Sequence, residues 1–309
     1  MAGIRISAKR VQLITERVGG VLVQERNAES ASFLEHPPKA PKTAEAPQLL
    51  IVSTDGGRVQ TRQDDPDQKW KEDKVAVCYD AVPCPEKPGV QYSGPPPATR
   101  SVIATMDAWD ALGDYASLLA ERRGYPRAKQ KVFISDGSTA IRSMRERCFP
   151  DAVFVLDWAH AVEHLSVSST AALGTTEKAK RWFEQQKDRL WNGRIEPILA
   201  ELCRQSRRVG PPPKNATDND PRRILAQNVE YFRTNRQAMD YPTFRRNGWP
   251  MGSGIIEATV KQVAKRVKGT EKHWSMQGAE QTLQVVSQMI SQDGRWDDFW
   301  RRCPMSQAA

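Results

Sequence analysis

Two aspartates in this chain stand in matching surroundings: QLLIVSTDG carries Asp55 and KVFISDG carries Asp136, each an apolar run, a small polar residue and then Asp-Gly. A carboxylate at the mouth of a buried strand costs several kcal/mol unless something compensates it, by roughly the known cost of moving charge out of water. Two such groups brought together raise each other's pKa unless a cation lies between them, and hard oxygen donors suit Mg²⁺ or Mn²⁺. A third acid, Glu257, lies in GSGIIEATVKQVAKRVKG, in the first turn of a helix that Ser253 and Gly254 open. It borders an apolar stripe of Ile256, Val260, Val263 and Val267, beside a basic row of Lys261, Lys265 and Lys268 with Arg266 nearby, a pattern suited to phosphates. Each feature has a plainer reading alone: an Asp-Gly turn, a first-turn glutamate favoured by the helix dipole, a solvated charged face.

The elements that must position these acids are legible in outline. Residues 5–24 place Val11, Ile14, Val18 and Leu22 on one helical face with Ser7 as N-cap, giving a helix or helix pair, and HPPKAPKTAEAP (36–47) reads as a linker. QLLIVST, then GGRVQTR after a turn, then KVAVCYDA suggest three successive strands. Residues 82–99 read as a loop and ATMDAWDALGDYASLLAERRG as a helix. Strand KQKVFI, helix STAIRSMRERCF, strand DAVFVL and helix DWAHAVEHLSV follow. From about 176 to 240 the pattern is helical, broken by GPPPKNATDNDP (210–221), and further helices are expected around IIEATVKQVAKRVKG, EQTLQVVSQMIS and RWDDFW. Functional groups collect beyond the carboxyl ends of parallel strands, so the two Asp-Gly acids are expected to face one another, with the glycine after each turning the backbone away.

Composition narrows the partners. The 309 residues carry 46 Lys and Arg against 37 Asp and Glu, a formal charge of +9, which attracts polyanions, nucleic acid first. No stretch approaches the length of a membrane span and MAGIRISAKRVQ lacks a secretory apolar region, so a cytoplasmic protein without membrane partners is expected. The five cysteines, Cys78, Cys84, Cys148, Cys203 and Cys303, are scattered without metal-ligand spacing, which fits a reducing compartment and argues against structural zinc.

The segments STDGGRVQTR with WKE, ISDGSTAIRSMRERCFPDAVFVLDWAHAVEHL, YPTFRRNGWPMGSGIIEATVKQVAKRVKGTEKHW and GRWDDFW, over about residues 48 to 300, resemble DDE transposases of the ISKra type, in the Mutator-like group. The resemblance implies an α/β chain: an RNase H-like catalytic core with an all-helical insertion and a short N-terminal helical segment. Its divisions would be 1–47 (helical segment and linker), 48–168 (first part of the core), 169–247 (insertion) and 248–309 (completing helices). It makes Asp55, Asp136 and Glu257 the first, second and third acids, holding two Mg²⁺ or Mn²⁺ ions for end cleavage and strand transfer of an insertion sequence. In such a sheet the first strand lies beside the fourth.

Asp157 and His160 in DWAH match an element of the wider group that lies near the acids, and Asp157 is the rival second ligand. His160 and His164 at i and i+4 suggest a zinc pair only weakly. Lys261, Lys265, Arg266 and Lys268 would hold backbone phosphates, and Trp249 and Trp274 would stack on unpaired bases or simply pack in the core. The implied partners are transposon ends and target DNA as duplexes, and further copies of the chain, in the nucleoid. Family members carry a longer N-terminal region that recognises terminal repeats, so the alternative is a truncated, non-catalytic DNA-binding remnant. A structure-selective nuclease with the same acids is a further rival. KGTEKHW, with Glu271 and Lys272, departs from the small residues usual before that tryptophan.

Overall fold

A computed structural model describes residues 6–36, 45–62, 69–269 and 272–302. The chain is α/β. Helix α1 (Ala8–Glu35) precedes strands β1 (Leu49–Gln60), β2 (Trp70–Ala81) and β3 (Pro97–Thr105). Helix α2 (Trp109–Arg122), β4 (Gln130–Ser135), α3 (Thr139–Cys148), β5 (Val153–Leu156) and α4 (Trp158–Leu173) follow. Helices α5 (Glu177–Trp191), α6 (Ile195–Val209), α7 (Pro221–Asn235) and α8 (Tyr241–Asn247) come next, then α9 (Gly254–Val267), α10 (Met276–Ile290) and α11 (Arg295–Arg302). The linker expected at 36–47 lies largely outside the described residues, as do Glu271 and Cys303.

The five strands form one sheet in the order β3-β2-β1-β4-β5. β1 pairs antiparallel with β2 and β2 with β3, whereas β1–β4 and β4–β5 are parallel. Alternation along the strands loads both faces with apolar side chains. Leu49, Ile51, Val75, Val77, Val132 and Ile134 pack toward α4, the helices after it, α9 and α10. Leu50, Val52, Ala76, Cys78 and Phe133 pack on the other face toward α2 and α3.

Two expectations about the strands need correction. GGRVQTR is not a second strand after a turn, because Gly56 and Gly57 continue β1, pairing with Lys74 and Asp73. Neither glycine has positive φ. Both are small for another reason: a Cβ on Gly57 would lie 2.6 Å from Asp73 Oδ1, and one on Gly56 3.0 Å from Glu72 Oε1. The third antiparallel strand is instead β3, whose ends overlap the expected loop and helix and whose centre, residues 100–103, belongs to neither. β1 and β2 therefore make a long hairpin that projects beyond the end of β4.

Helix α1 is one continuous helix, capped by Ser7 as expected. Val18 and Leu22 are buried against Val285 and Phe299, while Val11 and Ile14 are exposed, because α10 and α11 cover only the later part of the helix. Arg26, buried, joins it to the core through Glu280 and Asp107. The breaker run falls between α6 and α7, where Gly210 has φ +87° and Pro221 opens α7 after the Asp220 cap. No described helix is long and apolar enough to cross a membrane.

Candidate functional site

The β1–β4 register sets the site. Ser53 lies beside Ile134, so two residues further along parallel neighbours Asp55 meets Asp136 at the same level of the sheet. Asp55 lies within β1 where β4 has just ended. One carboxylate oxygen, Oδ1, accepts the Gly56 N–H at 2.7 Å. Its carboxyl is raised above the ordinary 3.8, first by burial and further by Asp136 and Glu257, against the lowering effect of the Gly56 N–H and of His160. Asp136, Glu257 and His160 are thus all near enough to act on Asp55.

Asp136 occupies a tight turn. Its Oδ1 accepts the Ser138 N–H at 2.9 Å, and Gly137 adopts φ +78°, a conformation a side chain disfavours. A Cβ there would also lie 2.5 Å from Leu156. The α5–α8 segment reaches this turn: Tyr231 on α7 donates its hydroxyl to the Asp136 carbonyl at 3.0 Å, and Asn235 accepts from Arg142 at 2.9 Å.

Glu257 enters from α9, which packs on β1 and β2. Ile256, Val263 and Val267 are buried with Thr259, and Val260 is half-buried, which puts the acid at the edge of the buried stripe. Its Oε1 accepts the Ser253 hydroxyl at 3.0 Å, and Lys261 Nζ is 4.0 Å from Oε2.

Asp157 is fully buried, and both its oxygens serve main-chain donors. One caps α4 by accepting the His160 N–H at 2.8 Å; the other accepts the Ser253 N–H, with which α9 begins. Its own N–H donates to the Ser135 carbonyl at 2.9 Å. This aspartate ties the end of β4 to the starts of α4 and α9. His164 stacks on Tyr231 with ring centroids 3.7 Å apart, and its Nδ1 is 2.5 Å from Asn228 Oδ1. Burial, foremost, lowers the His164 pKa below 6.5. His164 is thus committed to α7 rather than shared with His160.

The expected DNA-contacting residues divide. Lys261, Lys265 and Arg266 are exposed along α9, while Lys268 turns into a groove of about 950 Å³ that Asp55, Asp136, Arg58, Trp70, Glu72 and Trp109 also line. Trp249 donates its indole N–H to Gln130 at 2.6 Å, at the opposite end of β4 from Asp136 and so about 20 Å away at strand spacing. Trp274 donates its indole N–H to the Val267 carbonyl at 2.7 Å and bridges to Thr61, closing α9 against β1. Neither tryptophan lines the groove. Trp70 and Trp109 do, Trp70 brought there by the pairing of β2 with β1 and Trp109 by the packing of α2 on β2. Buried Asp73, with Oδ1 unpaired, was also not singled out; it follows the Glu72 of the quoted WKE in β2.

Among the described residues no three His, Cys, Asp or Glu side chains converge tightly enough to form a metal-holding group. The donor chemistry nevertheless fits a hard divalent cation. Asp55 is strained by burial and two neighbouring acids, a condition such an ion relieves, and among the described residues Glu257 is held by a hydroxyl and a distant lysine.

No family model matches this chain, and no curated protein matches it. Among solved structures, the Drosophila P element transposase strand transfer complex is similar over 94% of this chain and 94% of that one, at 10% identity and a TM-score of 0.35. A similarity at that level carries no argument about fold or activity.

Proposed function

We propose that this chain is a DDE transposase with an RNase H-like core, cutting and joining DNA with Asp55, Asp136 and Glu257 as holders of two Mg²⁺ or Mn²⁺ ions. The observation that carries the reading is the equal level of Asp55 and Asp136 on neighbouring parallel strands, with Glu257 close enough to raise the same carboxyl. The strand order, with the first strand beside the fourth, supports the core type that the sequence resemblance implies.

Bound ions would activate a water or a 3′-hydroxyl and offset charge on the leaving oxygen of a phosphodiester. The chain's own residues orient the parts. Asp55 would present its oxygens from within β1 and Asp136 from the turn just past β4, and Glu257 would supply another on turning from Ser253. Asp157 is a positioning residue, since its oxygens are occupied by main-chain N–H groups. Lys268 in the groove and Lys261, Lys265 and Arg266 outside it would hold phosphates, giving affinity without sequence. Duplex ends, target DNA and a second copy of the chain are the proposed partners.

Cleavage of labelled duplexes carrying the element's ends, in Mn²⁺ or Mg²⁺, tests this. Cutting and joining by the wild type should vanish in Asp55→Asn, Asp136→Asn and Glu257→Gln while duplex binding persists. Cutting without joining would favour the nuclease, and binding without cutting under every ion condition the non-catalytic remnant.

A further inference from the structure

The groove beside Asp55 and Asp136 runs along the α2 side of the projecting β1–β2 hairpin. Alternation from Leu50 and Val52, and from Ala76 and Cys78, assigns even-numbered positions of both strands to this face, so Arg58, Trp70, Glu72 and Lys74 share it. Trp109, at the start of α2, is beside them, 5.8 Å from Lys74 Nζ. Lys74 pairs with Gly56, so Trp109 stands about one residue beyond Asp55, and Trp70, opposite Gln60, stands five residues beyond, about 17 Å at strand spacing. Trp70 is 49% exposed, a large indole left in water beside a groove. Glu72, the acid on this wall, is paired with Lys74 at 3.3 Å. Arg58 has no ion pair among the described residues, and Lys268 closes the far side.

Acids at one end, two aromatic rings along the wall and the cations Arg58 and Lys268 beside them form a binding site for a strand whose bases are unpaired. Aromatic rings stack on any base, and cations follow the backbone. An undistorted duplex keeps the ring faces of its internal bases stacked on one another, and a side chain reaches them only by unstacking a step. We propose that this groove holds a single, unpaired DNA strand leading away from the reacting phosphate, its bases stacked on Trp109 and Trp70 and its phosphates against Arg58 and Lys268. At about 3.4 Å per stacked base, Trp70 meets the strand roughly five nucleotides from that phosphate. The inference rests on the reading of Asp55 and Asp136 as the reacting end, but binding here requires neither acid.

The test is fluorescence anisotropy of the full chain with a short labelled oligothymidylate and with a blunt duplex, without divalent ions, alongside Mn²⁺-dependent cutting. Trp70→Ala and Trp109→Leu should each weaken oligothymidylate binding roughly tenfold, from the strength of base stacking, and duplex binding far less. Leucine preserves the apolar contacts that Trp109 makes with the core. Trp70→Phe should restore most of the loss, and Trp300→Ala, an exposed tryptophan outside the groove, should change nothing. Unchanged oligothymidylate affinity in Trp70→Ala and Trp109→Leu, with wild-type cutting intact, overturns the groove assignment and leaves the catalytic reading standing. Trp-dependent strand binding by a wild type that never cuts upholds the groove and removes the catalytic reading.

Discussion

Asp157 and Ser253, 96 residues apart in sequence, are joined by a hydrogen bond from the Ser253 N–H to an Asp157 carboxylate oxygen, and through it the start of α9 is fastened to the end of β5. Ser253 in turn donates its hydroxyl to Glu257 at 3.0 Å. The third acid is therefore positioned by a fourth that touches no solvent. Asp157→Ala leaves the buried Ser253 N–H unpaired and, in freeing the part-buried His160 N–H, removes the cap of α4. Unfolding in denaturant should show a loss of about 2–4 kcal/mol, combining the usual costs of a cap and a buried orphan donor. Glu257→Gln, half-exposed, should move the same midpoint little.

Divalent ions should stabilise the fold through Asp55. Calorimetric Tm should rise with Mn²⁺ concentration, by the equivalent of about 2.7 kcal/mol once the ion reaches a hundred times its Kd. In Asp55→Asn that rise should disappear, while the ion-free Tm stays equal to or above that of the wild type, because burial and two neighbouring acids already oppose the Asp55 charge.

Asp73 offers a pH test separate from the acids at the strand ends. Burial, foremost, raises its pKa above 3.8, with Lys268 and Lys74 opposing, and its Oδ1 has no hydrogen-bond partner among the described residues. The folded state therefore holds this proton more tightly than the unfolded chain. Its contribution to stability declines as pH rises from 3.8 through the folded pKa, and is constant above that. Asp73→Asn should raise Tm at pH 7, and the gain should shrink as the pH falls through that window.

Tyr231→Phe removes the hydroxyl that holds the Asp136 carbonyl. A lost hydrogen bond of this kind costs about 0.5–1.5 kcal/mol in stability. Metal-dependent cutting should fall more steeply than that, roughly tenfold, because displacement of an aligned group is costly for reaction geometry. Equal cutting by both proteins would show that α7 does not position the second acid.

Gly19 lets α1 approach α10. A Cβ there would lie 2.1 Å from the Gln281 carbonyl oxygen, main chain that cannot turn aside. Gly19→Ala should cost about 1–3 kcal/mol by overpacking, read as a lower denaturant midpoint, whereas Gly252→Ala, with open space around its Cβ position, should be nearly neutral by contact alone.

Much of this architecture follows from local pattern. The apolar runs of β1, β4 and β5 and the apolar stripe of α9 are written in neighbouring residues, so alternation and helical periodicity suffice to find them; Ser253 precedes α9 as expected, but its hydroxyl donates to Glu257 rather than capping the main chain. β3 escaped because its apolar centre, Val102 to Ala104, is short and stands between a proline-rich loop and a helix. Gly56 and Gly57 suggested a turn because the crowding by Glu72 and Asp73 that favours small residues there comes from another strand.

By itself the sequence determined which residues have the chemistry: three acids in settings that anticipate strand ends and a helix start, and a surplus of cations for a polyanion. Tertiary structure decided which of them meet. Register carries Asp55 to Asp136, main-chain hydrogen bonds occupy both oxygens of Asp157, β1–β2 pairing and the packing of α2 on β2 put Trp70 and Trp109 in the groove, and Trp249 and Trp274 are hydrogen-bonded outside it. The physical reason is range. Propensity and capping act within a few residues, whereas register, burial and the sharing of a buried donor are settled only when distant segments compete for the same partners.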